Sequence, residues 1–185
     1  MIQNVLDQLN AQCVGKCDHA KTGLAWSVFL PVSELLRAVK LLYKDEYYLE
    51  DVTAIDAKEG YLLVYHFDHM DRPGRVALRV LVPHNAARVP SIAPIFQGAE
   101  WHERETRDFY GIDFSGNPNL VPLLLSADME DVHPLQKEEA ARAAVVDLVA
   151  PCEVLRSEPG FDLLTPKAEE GDKKAKAGDG EGTAA

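Results

Sequence analysis

"YYLEDVTAIDAKEGYLLVYHFDHMDRPGRVALRVLVP", residues 47–83, decides the fold. It holds three apolar runs in close succession. Successive side chains of a strand point to opposite faces, so a strand half-buried on a core shows period two. Residues 47–57 are strand-like, with Val52 and Ala54 in alternation and Ile55 out of step. After a turn at Gly60, Tyr61, Leu63, Tyr65 and Phe67 fall on one side. "RPGR" marks a second turn. The run that follows sets Val76, Leu78, Val80 and Val82 against Ala77, Arg79 and Leu81. Connections this short join antiparallel neighbours, because a parallel crossover needs a dozen residues or more.

Working outward, residues 2–12 place Ile2, Val5, Leu6 and Leu9 on one helical face. "GLAWSVFLP", 23–31, reads as a strand between Gly and Pro. Ser33 is a candidate cap for a helix whose stripe is Leu35, Leu36, Val39, Leu42 and Tyr43. Short helices are expected at 91–97 and 99–109. The class is α+β: a small, largely antiparallel or mixed sheet with helices packed on one face, plus an extended C-terminal arm.

Past residue 112 the chain is apolar without period, and Pro118, Pro122 and Pro134 break any helix. Such a segment runs along its own domain or along another protein. "EEAARAAVVDLVAP" has the makings of a short helix, and "CEVLRSEPGFDLLTP" reads as extended. Residues 167–185 have almost nothing to bury and are expected to be disordered. The division is therefore a globular domain over 1–112, a partner-binding arm over 113–166 and a charged tail over 167–185.

The 185 residues carry a net charge of -11, with 46% hydrophobic and 26% charged residues. That excess of carboxylates argues against wrapping phosphate backbones or adsorbing on anionic lipid. No apolar run approaches the roughly 18 residues that a membrane helix needs. Without a basic start or an apolar signal core, Cys13, Cys17 and Cys152 are read as reduced thiols, not as a disulfide framework.

No self-contained active site emerges. His102-Glu103 would open a zinc-protease helix only with a second His at position 106, which is Thr106. Cys13, Cys17 and His19 lack a second ligand pair and read as an exposed loop. His66, Asp68, His69 and Asp71 read as a strand end with polar turn residues. Three scattered cysteines do not supply an iron-sulfur cluster. No Gly-rich phosphate loop and no nucleophile elbow is present.

"EWHERETRDFYG", 100–111, is crowded with Glu, Arg and Asp, yet also carries Trp101, Phe109 and Tyr110. At helical spacing Glu100 faces Arg104, Glu103 faces Arg107, and Arg104 faces Asp108. Gly111 sits where a helix stops. A solvated, salt-laced helix explains the charges. A helix that packs inward by some aromatics and meets a partner through Arg and carboxylates explains both.

These residues resemble a known signature. "SIAPIFQGAEWHERETRDFYGIDFSGNPNL", 91–120, is similar to the C subunit of proton-pumping NADH-quinone oxidoreductase (the 30 kDa subunit family of respiratory complex I). Trp101, Glu103, Arg104, Glu105, Asp108, Phe109, Tyr110 and Gly111 carry it. "VHPLQK" resembles the family's His-Pro-Leu-Arg-Lys element through His133, Pro134, Leu135 and Lys137. Asn117, Val121, Pro122, Met129, Gln136 and Glu138 depart from the usual residues.

The resemblance implies a non-catalytic scaffold in the peripheral arm, with those twelve residues at a partner interface. It binds no cofactor itself. The whole complex implies iron-sulfur clusters, quinone and, in NADH-fed forms, FMN. The implied partners are the homologue of the quinone-site D subunit first, then the B and I homologues. The implied place is the cytoplasmic side of the cell inner membrane, peripheral, with proton translocation by the whole respiratory-chain enzyme. The alternative is the equivalent subunit of a group 4 membrane-bound hydrogenase or of another donor-fed relative.

Overall fold

The structure is a computed structural model, and it describes residues 2–161 apart from 73 and 130. The tail expected over 167–185, and the last residues of the arm, lie outside the described residues. In chain order the regular elements are α1 (Ile2–Leu6), β1 (Cys13–Lys16), α2 (His19–Thr22), β2 (Trp26–Leu30), α3 (Leu35–Lys44), β3 (Tyr48–Ala57), β4 (Gly60–Asp68), β5 (Val76–Val82), β6 (Arg88–Pro90), α4 (Ala99–Tyr110), β7 (Asp113–Ser115), α5 (Val145–Leu148) and β8 (Glu153–Ser157).

One six-stranded sheet runs in the order β3-β4-β5-β2-β1-β8. All neighbours are antiparallel except β2 and β5, which are parallel, so the sheet is mixed. The three runs quoted first form a meander, with Val52 opposite Tyr65 and Tyr65 opposite Leu78. Gly60 turns its corner at φ 145°, and a Cβ there would sit 2.2 Å from the Val82 carbonyl oxygen. That fixes glycine at the position.

The period-two pattern sorts the sheet into two faces. Tyr61, Leu63, Tyr65, Phe67, Val76, Leu78, Val80 and Val82 join Val28, Leu30, Val52 and Ala54 in the main core. α1 contributes Val5 and Leu6 to it, and α3 contributes Leu35, Ala38, Val39 and Leu42. Burying each of the larger aliphatic side chains is worth about 1.5–3 kcal/mol in transfer terms. The opposite face presents Phe29, Leu62, Val64 and Ala77, and there the chain's own Val145, Leu148, Val149, Cys152 and Phe161 pack.

Several expectations shift. Ser33 does not cap α3; a 3₁₀ turn, Val32–Glu34, leads into it. The Glu34 carboxylate instead accepts from the Asn10 amide at 3.2 Å and from Arg37 at 3.3 Å. Residues 91–97 form turns, not a helix, closed by Ile95 and Phe96 N–H groups that both donate to the Ile92 carbonyl. The cysteine-bearing segment is not an exposed loop: Cys13 opens β1, Cys17 directly follows it, and both are buried. Cys17 is disulfide-bonded to Cys152, 135 residues away, so the reading of three reduced thiols is corrected. Sequence could not show that β8 folds back beside β1 and brings Cys152 to Cys17. Among the described residues no helix is long and apolar enough to cross a membrane.

Candidate functional site

α4 begins after Gly98 and stops at Gly111, whose φ of 74° is left-handed. Two features hold glycine there. The left-handed backbone disfavours a side chain, and a Cβ would lie 2.6 Å from the His133 ring.

That imidazole belongs to a cap. A helix end leaves its last carbonyls without partners. Here the Arg107 carbonyl accepts from Gly111 N–H at 2.8 Å. His133 Nδ1 lies 2.9 Å from the Asp108 carbonyl. Leu135 N–H donates to the Phe109 carbonyl at 3.1 Å, and the Gln136 amide donates to the Tyr110 carbonyl at 2.9 Å. The "VHPLQK" element thus closes α4. Its next N–H, from Lys137, reaches the Asp56 carboxylate at 2.7 Å.

Two carboxylates of α4 point inward. Glu103 is fully buried. It accepts from Ser91 Oγ at 2.6 Å, Ile92 N–H at 2.8 Å and Asn117 Nδ2 at 2.7 Å. Burial raises its pKa, against the pull of those donors. The Tyr65 hydroxyl is buried without a hydrogen-bond partner among the described residues. Burial, and then the Glu103 charge, suppress its ionisation. Asp108 is also buried, and one of its oxygens accepts from three successive amides: Leu123 at 2.8 Å, Leu124 at 2.8 Å and Leu125 at 3.2 Å. Burial alone would raise this carboxyl. The three N–H groups and Arg107 outweigh burial and hold it below the ordinary value.

Arg104 also serves the fold. Its guanidinium donates to the Val121 carbonyl at 2.9 Å and the Pro122 carbonyl at 3.0 Å, and pairs with Glu100 at 3.5 Å. Of the spacing pairs, Glu100–Arg104 forms. Glu103 turns to Ser91 and Asn117 instead of Arg107.

Of the twelve expected interface residues, then, Glu103 and Asp108 lie inside the chain, and the Arg104 side chain is only 11% exposed. Gly111 and His133 belong to the cap. Phe109 and Tyr110 are half-buried; Glu105, Pro134, Leu135 and Lys137 are exposed. Trp101 is 64% exposed. On the segments tied to α4, Leu124 is 62% and Val121 49% exposed. A groove of about 220 Å³ runs between His102, Glu105 and Phe109 on the helix and Asp51 and Thr53 on the edge strand β3, with Leu135 at its rim.

Sequence reasoning missed a second polar knot. Asp56 is fully buried at the end of β3. It meets His84 Nε2 at 2.7 Å and Arg142 Nε at 3.0 Å besides Lys137 N–H. Burial would raise its carboxyl, but these three partners hold it low. A single Asp in a strand gives no signal of this. The candidate metal groups resolve into local bonds. His66 Nδ1 lies 2.8 Å from Asp51, and His69 Nδ1 accepts from the Asp71 and Arg72 amides at 3.1 and 3.2 Å. Among the described residues no three His, Cys, Asp or Glu side chains gather as metal ligands.

A family model described as the 30 kDa subunit of respiratory-chain NADH dehydrogenase matches residues 28–145. A protein of Methylococcus capsulatus, named as the C/D subunit of NADH-quinone oxidoreductase, is 32% identical over 135 residues, 65% of this chain and 23% of its own length. Its namesake in Photorhabdus laumondii subsp. laumondii is 29% identical over 164 residues, 81% of this chain and 27% of its own. That of Citrobacter koseri is 36% identical over 108 residues, 57% and 17% respectively. The chain thus spans about a quarter or less of these relatives. Two solved structures share the fold. A chain of the membrane-bound sulfane sulfur reductase, an archaeal respiratory membrane complex, superposes with a TM-score of 0.63 at 23% identity, over 73% of this chain and 81% of its own. The trypsin-resistant fragment of Nqo5 gives 0.50 at 21% identity, over 64% and 96%.

Proposed function

The chain belongs to the 30 kDa subunit family of respiratory-chain NADH dehydrogenase, and from that membership we propose that it is a non-catalytic scaffold in the peripheral arm of a proton-pumping NADH-quinone oxidoreductase. Its principal partner is a homologue of the quinone-site D subunit, with B and I homologues beyond. The double name C/D of its relatives supports a lasting association of the two modules. FMN, iron-sulfur clusters and quinone belong to the partners. The assembly lies on the cytoplasmic side of the inner membrane, and the chain reaches the membrane only through it.

One observation carries this reading. The charges of α4 that would keep a helix solvated are largely engaged within the chain, while Trp101, Val121 and Leu124 stay exposed around it. An exposed tryptophan on a rigid frame is the residue type that anchors interfaces. Its role is positional. Electrons cross proteins at rates set by cofactor separation, so a subunit that fixes the carriers governs the rate without touching an electron.

The same reading keeps a globular domain over 1–112 and a partner-binding arm over 113–166, with the docking face carried by the part of the arm tied to α4 and residues 143–161 packed on the chain's own second sheet face. The test is co-purification of the Trp101→Ala/Leu124→Ser variant from membranes in mild detergent. The variant is expected to keep wild-type circular dichroism and to lose the D homologue. Full assembly of the variant would defeat the reading. Mass spectrometry of the wild-type complex is expected to find NADH-binding subunits; hydrogenase subunits in their place would assign the chain to the other donor class.

A further inference from the structure

The second face of the sheet is closed by a strap, residues 143–161, whose own packing is slight. Only Val145 is fully buried, and all five residues of β8 are exposed. Polar contacts hold its two ends. Near the start, Lys58 N–H donates to the Ala143 carbonyl at 3.0 Å and Val145 N–H to the Glu59 carboxylate at 3.0 Å. Near the finish, Arg156 donates to the Leu6 and Leu9 carbonyls at 3.1 and 3.0 Å. The Phe161 ring lies 5.1 Å from that of Phe29. Arg156 itself lies in β8, which pairs with β1 from Cys13–Ser157 to Lys16–Glu153, with a register shift between Val14 and Gly15. An exposed, irregular edge strand holds weakly by itself. The one covalent tie across this join is Cys17–Cys152.

We propose that Cys17–Cys152 is a redox latch whose reduction unpairs β8 from β1 and lifts the end of the strap from the sheet. The reductant comes from outside the chain: the third thiol, Cys13, is buried, and one thiol alone could exchange with the bond but not reduce it. The reductant is an external dithiol. One of its thiolates attacks a sulfur of the bond and forms a mixed disulfide; its second thiol displaces the protein sulfur. Two electrons and two protons pass to Cys17 and Cys152, and the dithiol leaves as a disulfide. Opening exposes the β1 edge and Phe29 on the neighbouring β2, and leaves the main core, on the other face, intact. Disulfides in reducing compartments act mostly in this transient, sensing manner.

The experiment is amide hydrogen exchange on the full chain, oxidised, reduced with dithiothreitol, and reoxidised. Reduction is expected to speed exchange in 13–16 and 153–157 at least tenfold, to leave β4 and β5 unchanged, and to reverse on reoxidation. The Cys17→Ser/Cys152→Ser variant is expected to behave like the reduced form without reductant. Three outcomes overturn the latch: unchanged protection after complete reduction, loss of protection across the whole sheet, or alkylation of Cys17 and Cys152 in protein never exposed to reductant. The wild-type arm decides even if the variant fails to fold. None of these outcomes depends on which complex the chain joins.

Discussion

α3 and α4 pack on the same side of the sheet by opposite chemistry. α3 buries Leu35, Ala38, Val39 and Leu42, a continuous apolar stripe. α4 buries Ala99, Glu103, Thr106 and Asp108. The first helix is attached by area, and neighbouring side chains share the load. The second turns two carboxylates inward, and each ties neighbouring loops to the helix through several donors. An apolar stripe tolerates substitution by similar volume. A buried carboxylate tolerates little, because every donor it leaves unpaired is penalised.

The largest effect expected from breaking this contrast lies on α3. Leu42→Ala should destabilise the whole domain by about 2–5 kcal/mol, read as a lower urea midpoint. Asp108→Asn comes next, at about 1.5–3 kcal/mol, since a charged acceptor of three amides is replaced by a neutral one. Its loss should be local, with exchange at 123–125 accelerating well before β4 and β5. If Asp108→Asn instead melts the sheet as Leu42→Ala does, the two attachments are not different in kind.

Acidity sharpens the comparison, with signs that differ by residue. Asp108 and Asp56 have folded pKa values below the ordinary one. Their stabilisation is present above the unfolded value of about 3.9 and fades as pH falls through the folded values. Glu103 runs the other way: its raised pKa means that protonation relieves a burial penalty, so its contribution improves as pH falls toward about 4.3. Urea midpoints from pH 7 to 3 should therefore drop steeply only below about pH 4. The Asp108→Asn variant should show a shallower drop.

How much of this was legible follows from the same difference. The strands at 48–57, 60–68 and 76–82 and the stripe of α3 are periodic, and periodicity is local information. α4 was legible as a helix, with its stop at Gly111. The inward turn of Glu103 and Asp108 was not, because i,i+4 spacing offered surface partners. The true partners, Ser91, Asn117 and the amides of 123–125, become neighbours only once the chain has folded. The Asp56 knot and the Cys17–Cys152 pairing were hidden for the same reason: each joins residues far apart in sequence.

Two smaller effects complete the contrast. Tyr65→Phe removes a buried hydroxyl that has no partner among the described residues, and should raise stability by about 1 kcal/mol in urea titration. Trp101→Ala, on the outer side of α4, should shift stability by no more than about 0.5 kcal/mol. A large loss at Trp101 would mean that the side chain serves the fold.

The sealed end of α4 has a directional consequence. A helix terminus normally offers free acceptors and a negative pole to any cation or amide that approaches along the axis. Here His133, Leu135 and Gln136 already occupy the terminal carbonyls. A donor that approaches along the axis finds these carbonyls already bonded within the chain.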